Sequence, residues 1–472
     1  MSIEVTRRTF LKASLIGTGA ALFPGKLLAQ KPEQTKLPIP PLVESKRGQP
    51  IFLTMQEVNR SFIDNLKTTV WGFNGLFLGP TVRVKNGDNT KIIYSNRLKE
   101  AVAINIQGLH IPSNLMGGSQ HMIESNATWS PIIPIRQYYS VCAYQAVTPN
   151  LNGMHIYNGL TGLWYVEDEY SKDFDLPNEY GVDDIPLIIQ DMRFNSNGNI
   201  VFDAEQENGF LGDRLIVNGV ISPVLDVPKK LIRLRLYNAS NSRRYQVKLS
   251  TGETFYVIGS EQGLLPSPII VPTFSLAPGE RREMIIDMSN QSTVSIVVGQ
   301  DLGIWARTKR IFESSNDLIS STVLTLNSIG EKSLVPSVLP STLVAQPVVQ
   351  GQIIKVRELL LNNDPPGINH NKFDPMRVDM YAKVGTWERW ILTAILPQSF
   401  TLQGAVFLVS SVNGAPPLPE DRGLCDTVWV DGTIELFVFF THVSTPQIPF
   451  LVGSRNLTLR DSGALAQLVV DA

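Results

Sequence analysis

The chain has 472 residues, with 41 Lys and Arg side chains against 43 Asp and Glu, and a formal net charge of −2 at neutral pH. Without a basic excess there is no electrostatic case for a nucleic-acid partner, and we predict none. The length exceeds that of one ordinary domain, so about two to four domains are expected.

The N-terminus carries the arginine pair Arg7 and Arg8, followed by an apolar run from Ala13 to Phe23. This pattern is typical of a twin-arginine (Tat) export signal. The run is too short for a permanent membrane helix and is interrupted by glycine. We predict that residues 1–29 form a signal peptide that is cleaved near Ala29. The Tat translocon is then a partner during export, and the mature protein lies in the periplasm without stable membrane insertion.

Removal of the signal would leave 37 basic against 42 acidic side chains, because residues 1–29 contain four basic residues and one acidic residue. The mature net charge is then about −5, which suits a soluble protein. Proteins that use this export route cross the membrane folded, often because a cofactor is loaded first. The signal therefore raises the question of whether the mature chain holds a cofactor.

Short apolar or alternating runs follow the signal, separated by Gly, Pro and Asn, which is typical of β-strands. Sustained helical periodicity is missing from this part of the sequence. The clearest runs are Thr81–Lys85, Thr90–Tyr94, Gly162–Val166, Leu231–Tyr237, Ser295–Val298, Ser321–Leu326, Ala405–Ser410 and Glu435–Phe440. We predict an all-β protein built from sandwiches or barrels.

Changes in composition divide the mature chain into three sections. An acidic patch at Glu167–Glu169 closes the first section, and a stretch with Pro, Ser and Val at 331–350 has the composition of a linker. We predict domains over residues 37–172, 180–328 and 345–472. Each is large enough for one β-sandwich with its own core.

Isolated candidate sites are weak in this sequence. Cys142 and Cys425 could form one disulfide or remain as two buried thiols, and their spacing does not decide between these states. The five histidines include no compact ligand set, so we expect no new metal site. The pair Asp183-Asp184 lies beside Gly and Pro and favours a turn over an acid–base pair.

A basic stripe runs through Lys229, Lys230, Arg233 and Arg235. Arg233 and Arg235 alternate along a predicted strand, so we expect them to line one solvated face of the sheet. A partner-binding stripe is the alternative.

Several segments resemble the multicopper oxidases, and together they cover essentially the whole mature chain. These segments are Gly79–Val84, Gly87-Asp88, Asn158–Leu163, Val166–Glu169, Arg233–Ser240, Leu276–Arg281, Trp387–Trp390 and Asp426–Val428. The resemblance implies three cupredoxin-like domains, which are Greek-key β-sandwiches, in the multicopper oxidase arrangement.

The copper-ligand positions of that family, however, hold other residues here. The four ligand motifs correspond to Asn105–Gly108, Gln145–Val147, Gln398–Gln403 and Gly453–Arg455, the last continued by Leu459 and Ala464. A blue copper site needs a thiolate and two imidazoles. The family's oxygen-reducing site needs eight further imidazoles, and this chain has five histidines in total. We therefore predict no catalytic, cofactor-binding or metal-binding residue, no cofactor and no enzymatic activity.

A twin-arginine signal joined to a copper-oxidase-like chain without copper ligands resembles a family of exported bacterial cell-division proteins. The segments that carry this likeness are Pro40–Pro50, Ser95–Leu98, Leu115–Gly118, Pro134–Gln137, Asn238–Tyr245 and Pro419–Gly423. The resemblance implies a non-enzymatic periplasmic component of the divisome that supports septation, especially under stress. Its expected partners are divisome proteins at the septum. The alternative is a periplasmic copper-binding oxidoreductase with a rebuilt metal site.

Four glutamines stand at or beside the former ligand positions: Gln107, Gln145, Gln398 and Gln403. A buried amide must find hydrogen-bond partners. We therefore hypothesise that these glutamines and Thr401 form a polar network, or hold water, where copper would bridge the first and third domains.

Overall fold

The computed structural model describes residues 35–63, 66–118, 120–172, 174–204, 209–299, 321–332 and 338–472. The twin-arginine segment and the predicted cleavage position near Ala29 lie outside these residues. Thr35–Ala472 forms one compact unit. None of the helices in the described ranges is long and apolar enough to cross a membrane.

The first block of strands, residues 42–167, contains two sheets packed on one core. Its strands are β1 (Leu42–Glu44), β2 (Ile51–Arg60), β3 (Thr68–Phe73), β4 (Thr81–Lys85), β5 (Asn89–Asn96), β6 (Ile104–Gln107), β7 (Thr128–Trp129), β8 (Ile132–Pro134), β9 (Ser140–Ala146) and β10 (Thr161–Glu167). One sheet has the order β1-β4-β10-β9-β6, and the other has the order β3-β2-β5-β7 with β8 also paired to β5. Two short helices, α1 (Ser113–Met116) and α2 (Asn152–Tyr157), lie in its loops.

The second block, residues 184–329, also contains two sheets. Its strands are β11 (Asp184–Met192), β12 (Arg214–Val217), β13 (Val224–Pro228), β14 (Leu231–Asn238), β15 (Tyr245–Leu249), β16 (Phe255–Ser260), β17 (Gly263–Val271), β18 (Thr273–Leu276), β19 (Arg281–Asp287), β20 (Thr293–Val298) and β21 (Thr322–Ile329). The sheet orders are β12-β11-β14-β19-β16-β17 and β13-β21-β20-β15-β18.

The third block, residues 353–471, is one eight-stranded sheet. Its elements are β22 (Ile353–Asn363), β23 (Pro366–Ile368), β24 (Met380–Lys383), β25 (Trp387–Leu402), β26 (Ala405–Val412), β27 (Thr427–Phe440), β28 (Phe450–Ser454), helix α3 (Leu457–Asp461) and β29 (Leu465–Asp471). The main path is β23-β22-β25-β28-β29-β24, and β27 joins β25 to β26. Single 3-10 turns occur at Tyr170–Lys172 and Pro419–Asp421.

Alternation along the sequence explains where these strands lie. In β2, Ile51, Leu53 and Met55 are buried while Phe52 is exposed, as expected for a strand with one face on the core. Each of the eight runs expected from the sequence falls within an observed strand, apart from Ser321 at one end. The all-β prediction is therefore confirmed.

Apolar clusters lie within the blocks and between them. One continuous cluster contains side chains of both the first and the third blocks, including Trp164 and Trp390. The second block has its own cluster around Leu234 and Val247. A third cluster joins the first two blocks through residues such as Tyr165 and Tyr237. The blocks therefore share buried surface, which brings their polar residues together as well.

Two motif glycines of the first block make room for one tyrosine. A Cβ at Gly79 would lie 1.9 Å from the Tyr144 hydroxyl, and one at Gly162 would lie 2.3 Å from the same ring. The Tyr144 hydroxyl donates a hydrogen bond to the Pro80 carbonyl at 2.7 Å. These glycines are required for close packing around a buried ring.

The prediction that Arg233 and Arg235 line a solvated face is wrong. Both side chains are buried, because the first block covers that face of β14. Asp184 binds Arg235 through both carboxylate oxygens, at 2.7 and 2.6 Å. Glu283 accepts from Arg233 Nε at 2.7 Å. Alternation identified which residues share a face, and a neighbouring block determines that this face is buried.

Tyr139 of the first block completes this cluster. Its hydroxyl donates to Glu283 at 2.7 Å and accepts from Arg233 Nη2 at 2.6 Å and Arg235 Nη1 at 2.8 Å. The Asp183-Asp184 prediction is confirmed in that residues 181–183 form a turn. Asp184 begins β11 and serves as the ion-pair partner of Arg235.

Replacing Tyr139 with Phe should lower the free energy of unfolding by about 2–3 kcal/mol, because it leaves buried charged donors and an acceptor without a partner. The measurement is thermal or denaturant unfolding of the mature protein. Tyr138→Phe is the matched control, since Tyr138 is 69% exposed and should tolerate the change. Equal stability of the two variants would show that the cluster does not hold the first two blocks together.

Candidate functional site

Residues from each of the four copper-ligand motifs of the resembled family line one small cavity between the first and third blocks. Asn105 and Gln107 come from β6, Gln145 from β9, and Thr401 from β25. Arg455 lies directly after β28 and reaches the same cavity. The cavity has a volume of about 30 Å³, which is room for about two water molecules.

Gln107 occupies the centre of a buried hydrogen-bond network. Its Nε2 donates to the Gly279 carbonyl at 3.1 Å, to Asp426 Oδ1 at 3.1 Å and to Thr427 Oγ1 at 2.8 Å. Its Oε1 accepts from Gln145 Nε2 at 3.0 Å. One side chain of the first block thereby contacts the second and third blocks.

Gln145 extends the network in the other direction. Its Oε1 accepts from the Tyr237 hydroxyl at 2.9 Å and from Arg455 Nη2 at 3.0 Å. Arg455 Nη2 also donates to the Tyr237 oxygen at 3.3 Å. Gln145, Tyr237 and Arg455 belong to three different blocks, so this cluster is a second three-way junction.

A buried ion pair between Arg281 and Asp426 anchors the network. Arg281 Nη1 donates to Oδ1 at 2.8 Å and Nη2 donates to Oδ2 at 2.5 Å, while Nε donates to the Val141 carbonyl at 2.7 Å. Burial opposes ionisation of Asp426, but the Arg281 charge and the hydrogen bonds outweigh it and lower its pKa. The carboxylate therefore stays charged. We call Gln107, Gln145, Tyr237, Arg281, Asp426 and Arg455 the polar centre.

Two further glutamines extend the polar centre toward the first block. Gln262 Nε2 donates to Asp426 Oδ2 at 2.5 Å and to the Gly108 carbonyl at 3.1 Å. Gln137 Nε2 donates to Gln262 Oε1 at 3.1 Å and to the same Gly108 carbonyl at 2.9 Å. Gly108 has a φ of +85°, and a Cβ there would lie 2.5 Å from Arg281 and Asp426, so a larger residue would collide with the ion pair.

The network part of the hypothesis is right for Gln107, Gln145 and Thr401, whose hydroxyl donates to the Asp426 carbonyl at 3.1 Å, and it is wrong for Gln398 and Gln403. Gln398 is buried away from the cavity, where its Nε2 donates to Asn363 at 3.0 Å. Gln403 lines the cavity, but its Oε1 accepts from the Leu451 amide of β28 at 2.9 Å, which is a bond within the third block. The motifs in the sequence identified the region in which these side chains lie. Their hydrogen-bond partners depend on the direction that each side chain takes in the folded protein.

Helix α3 follows the last ligand motif and touches both other blocks. Asp461 accepts from the backbone amides of Asn152 at 3.0 Å and Gly153 at 2.8 Å, at the start of α2. Asn456 accepts from the Ser242 hydroxyl at 3.0 Å. Ser242 lies in the segment Asn238–Tyr245. This segment of the resembled family therefore contacts the third block.

His110 lines the cavity beside the polar centre. Burial lowers its pKa to about 4; His442 also lowers the pKa, whereas Asp426 and Gln262 raise it. Its Nε2 and the Nδ1 of His442 have no hydrogen-bond partner within the described ranges. Both rings are therefore neutral near pH 7, because burial lowers the pKa of His442 as well.

Cys142 and Cys425 are free, buried thiols, which resolves the alternative left open by their spacing. Burial raises the pKa of the Cys142 thiol to about 12 and raises that of Cys425 well above its ordinary range. Neither is a reactive thiolate at neutral pH.

The side chains of the cavity do not fit copper. The polar groups on its walls are amides, a hydroxyl, two guanidinium groups and the single imidazole of His110, and Arg455 would place a positive charge where the family has a ligand. Across the residues with described structure, no group of three or more His, Cys, Asp or Glu side chains is arranged to hold a metal ion. The network instead joins the three blocks by hydrogen bonds.

Comparison with known proteins identifies the family of this chain. Residues 54–171 match the multicopper oxidase family. The chain is 50% identical over 470 residues to the cell division protein FtsP of Yersinia pestis, covering 100% of this chain and 99% of that protein. It is 47% identical over 469 residues to FtsP of Escherichia coli, with 99% of each covered. The chain belongs to the FtsP family. The family that the sequence resembled is thus confirmed.

Solved structures of oxidases share the fold of this FtsP family member. The laccase-like multicopper oxidase CueO of Ochrobactrum sp. superposes with a TM-score of 0.84 at 29% identity, covering 92% of this chain and 100% of the oxidase. A laccase from Pediococcus acidilactici has a TM-score of 0.83 at 23% identity, covering 93% and 94%, and shows the fold alone. The predicted class, cupredoxin-like sandwiches in the multicopper oxidase arrangement, is confirmed. The domain limits at 37–172, 180–328 and 345–472 stay predictions.

Replacing Gln107 with Leu should lower the free energy of unfolding by about 2–4 kcal/mol, because Gln145 Nε2 and the Asp426 carboxylate lose partners in a buried site. Gln403→Leu is the matched control on the same cavity and should cost less, about 1 kcal/mol, since it removes one bond within the third block. Calorimetric unfolding of both mature variants provides the comparison. A larger loss for Gln403→Leu would contradict the central position of Gln107.

The lowered pKa of His110 predicts a pH dependence of stability. In the unfolded chain this histidine has a pKa of about 6.5, whereas in the folded protein its pKa is about 4. Between these values the unfolded state binds more protons, so the free energy of unfolding falls as the pH drops from about 6.5 to 4. His110→Asn should remove part of that fall between pH 7 and pH 5 in thermal unfolding. His370→Asn, at an exposed position, should leave it unchanged. An equal fall in wild type and His110→Asn would refute the assignment.

Proposed function

We propose that this chain is a non-enzymatic cell-division protein that acts in the periplasm and stabilises the septal division apparatus, especially under stress. Its surfaces bind divisome proteins, and the interior has no catalytic role. The twin-arginine segment at Arg7 and Arg8 supports export by the Tat route. Full-length likeness to proteins named cell division protein FtsP supports the role in division.

One observation carries the non-enzymatic part of the proposal. The positions that hold copper ligands in the oxidase fold are occupied by side chains that bond to one another and to three different blocks. Gln107 and Gln145 use their amides for this, and Arg455 uses its guanidinium. These side chains bond to one another, and Arg455 adds a fixed positive charge. Both features support a structural role for the positions that hold copper ligands in the oxidases.

A periplasmic copper-binding oxidoreductase with a rebuilt site is the second candidate. It is favoured by His110 and His442, two neutral imidazoles close enough to affect each other's charge, each with a ring nitrogen free of hydrogen bonds in the described structure. Neutral imidazole is a good ligand for copper and zinc. Two such ligands fall short of the thiolate and imidazole set of a blue copper site.

Export is expected to be essential for function in Escherichia coli cells that lack their own FtsP and grow under a division-impairing stress. Expression of this chain should restore normal cell length, whereas Arg7→Lys with Arg8→Lys should fail and leave unprocessed protein in the cytoplasm. Lys12→Arg is the matched control, because it preserves the arginine pair. Restoration of cell length by unexported protein would contradict a periplasmic role.

The two candidate functions differ in their dependence on histidine. Under the proposal, a variant with both His110→Asn and His442→Asn restores cell length as well as wild type does. Metal analysis of the exported protein should also find less than about one tenth of an equivalent of copper. About one equivalent of copper in wild type, lost together with division in the double variant, would favour the rebuilt site instead.

A further inference from the structure

Two buried arginines of the third block line the cavity of the polar centre. Arg455 is 1% exposed and Arg460 is 6% exposed. Arg460 Nη1 donates to the Ser454 carbonyl at 3.2 Å, and Arg455 Nη2 donates to Gln145 and Tyr237. Arg455 Nε and Nη1 are buried without a partner among the described residues. Several N–H donors of a fixed cation are therefore unsatisfied.

No carboxylate of the described residues forms an ion pair with Arg455 or Arg460, although the charge of the neighbouring Asp461 acts on Arg460. The residues that line the cavity include no Asp or Glu. Asp426 lies nearby but is bound through both oxygens to Arg281. Asp461 follows Arg460 in sequence, yet its two oxygens accept the amides of Asn152 and Gly153. The cavity therefore carries about two positive charges with no negative charge on its walls.

An uncompensated buried charge is strongly unfavourable, and two like charges in one cavity make it more so. Burial, followed by the charge of Arg455, lowers the pKa of Arg460 to about 10, with Asp461 opposing the shift. That pKa leaves Arg460 protonated at neutral pH, so the group does not escape the penalty by losing its proton. An anion from solution would remove the energetic cost of burying these two charges.

We propose that this cavity binds one small inorganic monoanion of the size of chloride, held by Arg455 and Arg460. The volume of about 30 Å³ admits a halide and excludes a phosphate ester or a carboxylate with a long chain.

The anion would act as a structural ligand of the three-block junction. Arg455 connects the cavity to Gln145 of the first block and Tyr237 of the second. Neutralising its charge strengthens that junction without a metal. This inference does not depend on the role in cell division.

Anion-dependent unfolding of the mature protein tests the proposal. The melting temperature is measured in sodium gluconate and in sodium chloride at the same ionic strength. Because a ligand that binds only the folded state stabilises it, the melting temperature should rise saturably with chloride, by about 3 °C or more. Bromide should act in the same way, whereas phosphate should not. Identical melting curves in gluconate and chloride would overturn the proposal, as would saturable stabilisation by phosphate alone.

Arg460→Met separates a specific site from a general salt effect. In gluconate this variant should be at least as stable as wild type, since it removes an uncompensated charge, and it should lose the response to chloride. Arg389→Met is the matched control, because Arg389 pairs with Glu435 at the surface, and it should keep the response. A full chloride response in Arg460→Met would exclude this site.

Wild-type crystals provide a test that does not depend on any variant folding. After soaking in sodium bromide, the anomalous difference map should show a peak in the cavity next to the guanidinium groups of Arg455 and Arg460. A map with bromide peaks elsewhere and none in the cavity would overturn the assignment.

Discussion

The ion pair between Arg281 and Asp426 is the contact on which the arrangement of the three blocks depends. Both side chains are fully buried, so each must be satisfied within the protein. Asp426 accepts hydrogen bonds from Arg281 and Gln262 of the second block and from Gln107 of the first. Removing either charged partner would leave the other buried and unpaired, which is among the most destabilising changes a core can suffer. The remaining polar centre extends outward from this pair.

The same fold can therefore support two kinds of centre. In an oxidase the junction of the cupredoxin-like domains holds copper, and here the equivalent positions hold amides and a guanidinium that bond across the junction. The strands and the apolar clusters set the distances between the domains. The side chains at a few positions decide whether the junction holds copper or is joined by hydrogen bonds. This separation explains why the chain has a TM-score of 0.84 with an oxidase and yet lacks the oxidase's donor set.

Much of the fold could be predicted from the sequence, because alternation along a strand is a local property. The position of the cavity was also predictable, since the former ligand motifs mark it. The pairing of Arg281 with Asp426 was not, because these residues lie in different blocks and nothing local relates them. Arg233 and Arg235 were misplaced for the same reason, since alternation shows a shared face but not what covers it.

Individual side chains within the motifs were predicted less well than the motifs themselves. Gln107 and Gln403 look equivalent in sequence, yet Gln107 joins three blocks whereas Gln403 bonds to a strand of its own block. The buried Arg460 carried no signal at all, because a basic residue on a short helix is ordinarily exposed. The acidic Glu283, which is aligned with Arg235 on the neighbouring strand, was the available clue that the basic stripe is paired.

Arg455 and helix α3 lie at the end of the chain, and this position has a consequence for synthesis. The first two blocks emerge from the ribosome before the residues that satisfy Gln145, Tyr237 and the amides at the start of α2. A chain that stopped before Arg455 would contain most of its strands, yet those groups would lack the partners that the last stretch supplies. The polar centre is thus complete only when the last stretch has folded onto the earlier ones. A product truncated before Arg455 would therefore lack hydrogen bonds in its interior as well as the missing residues.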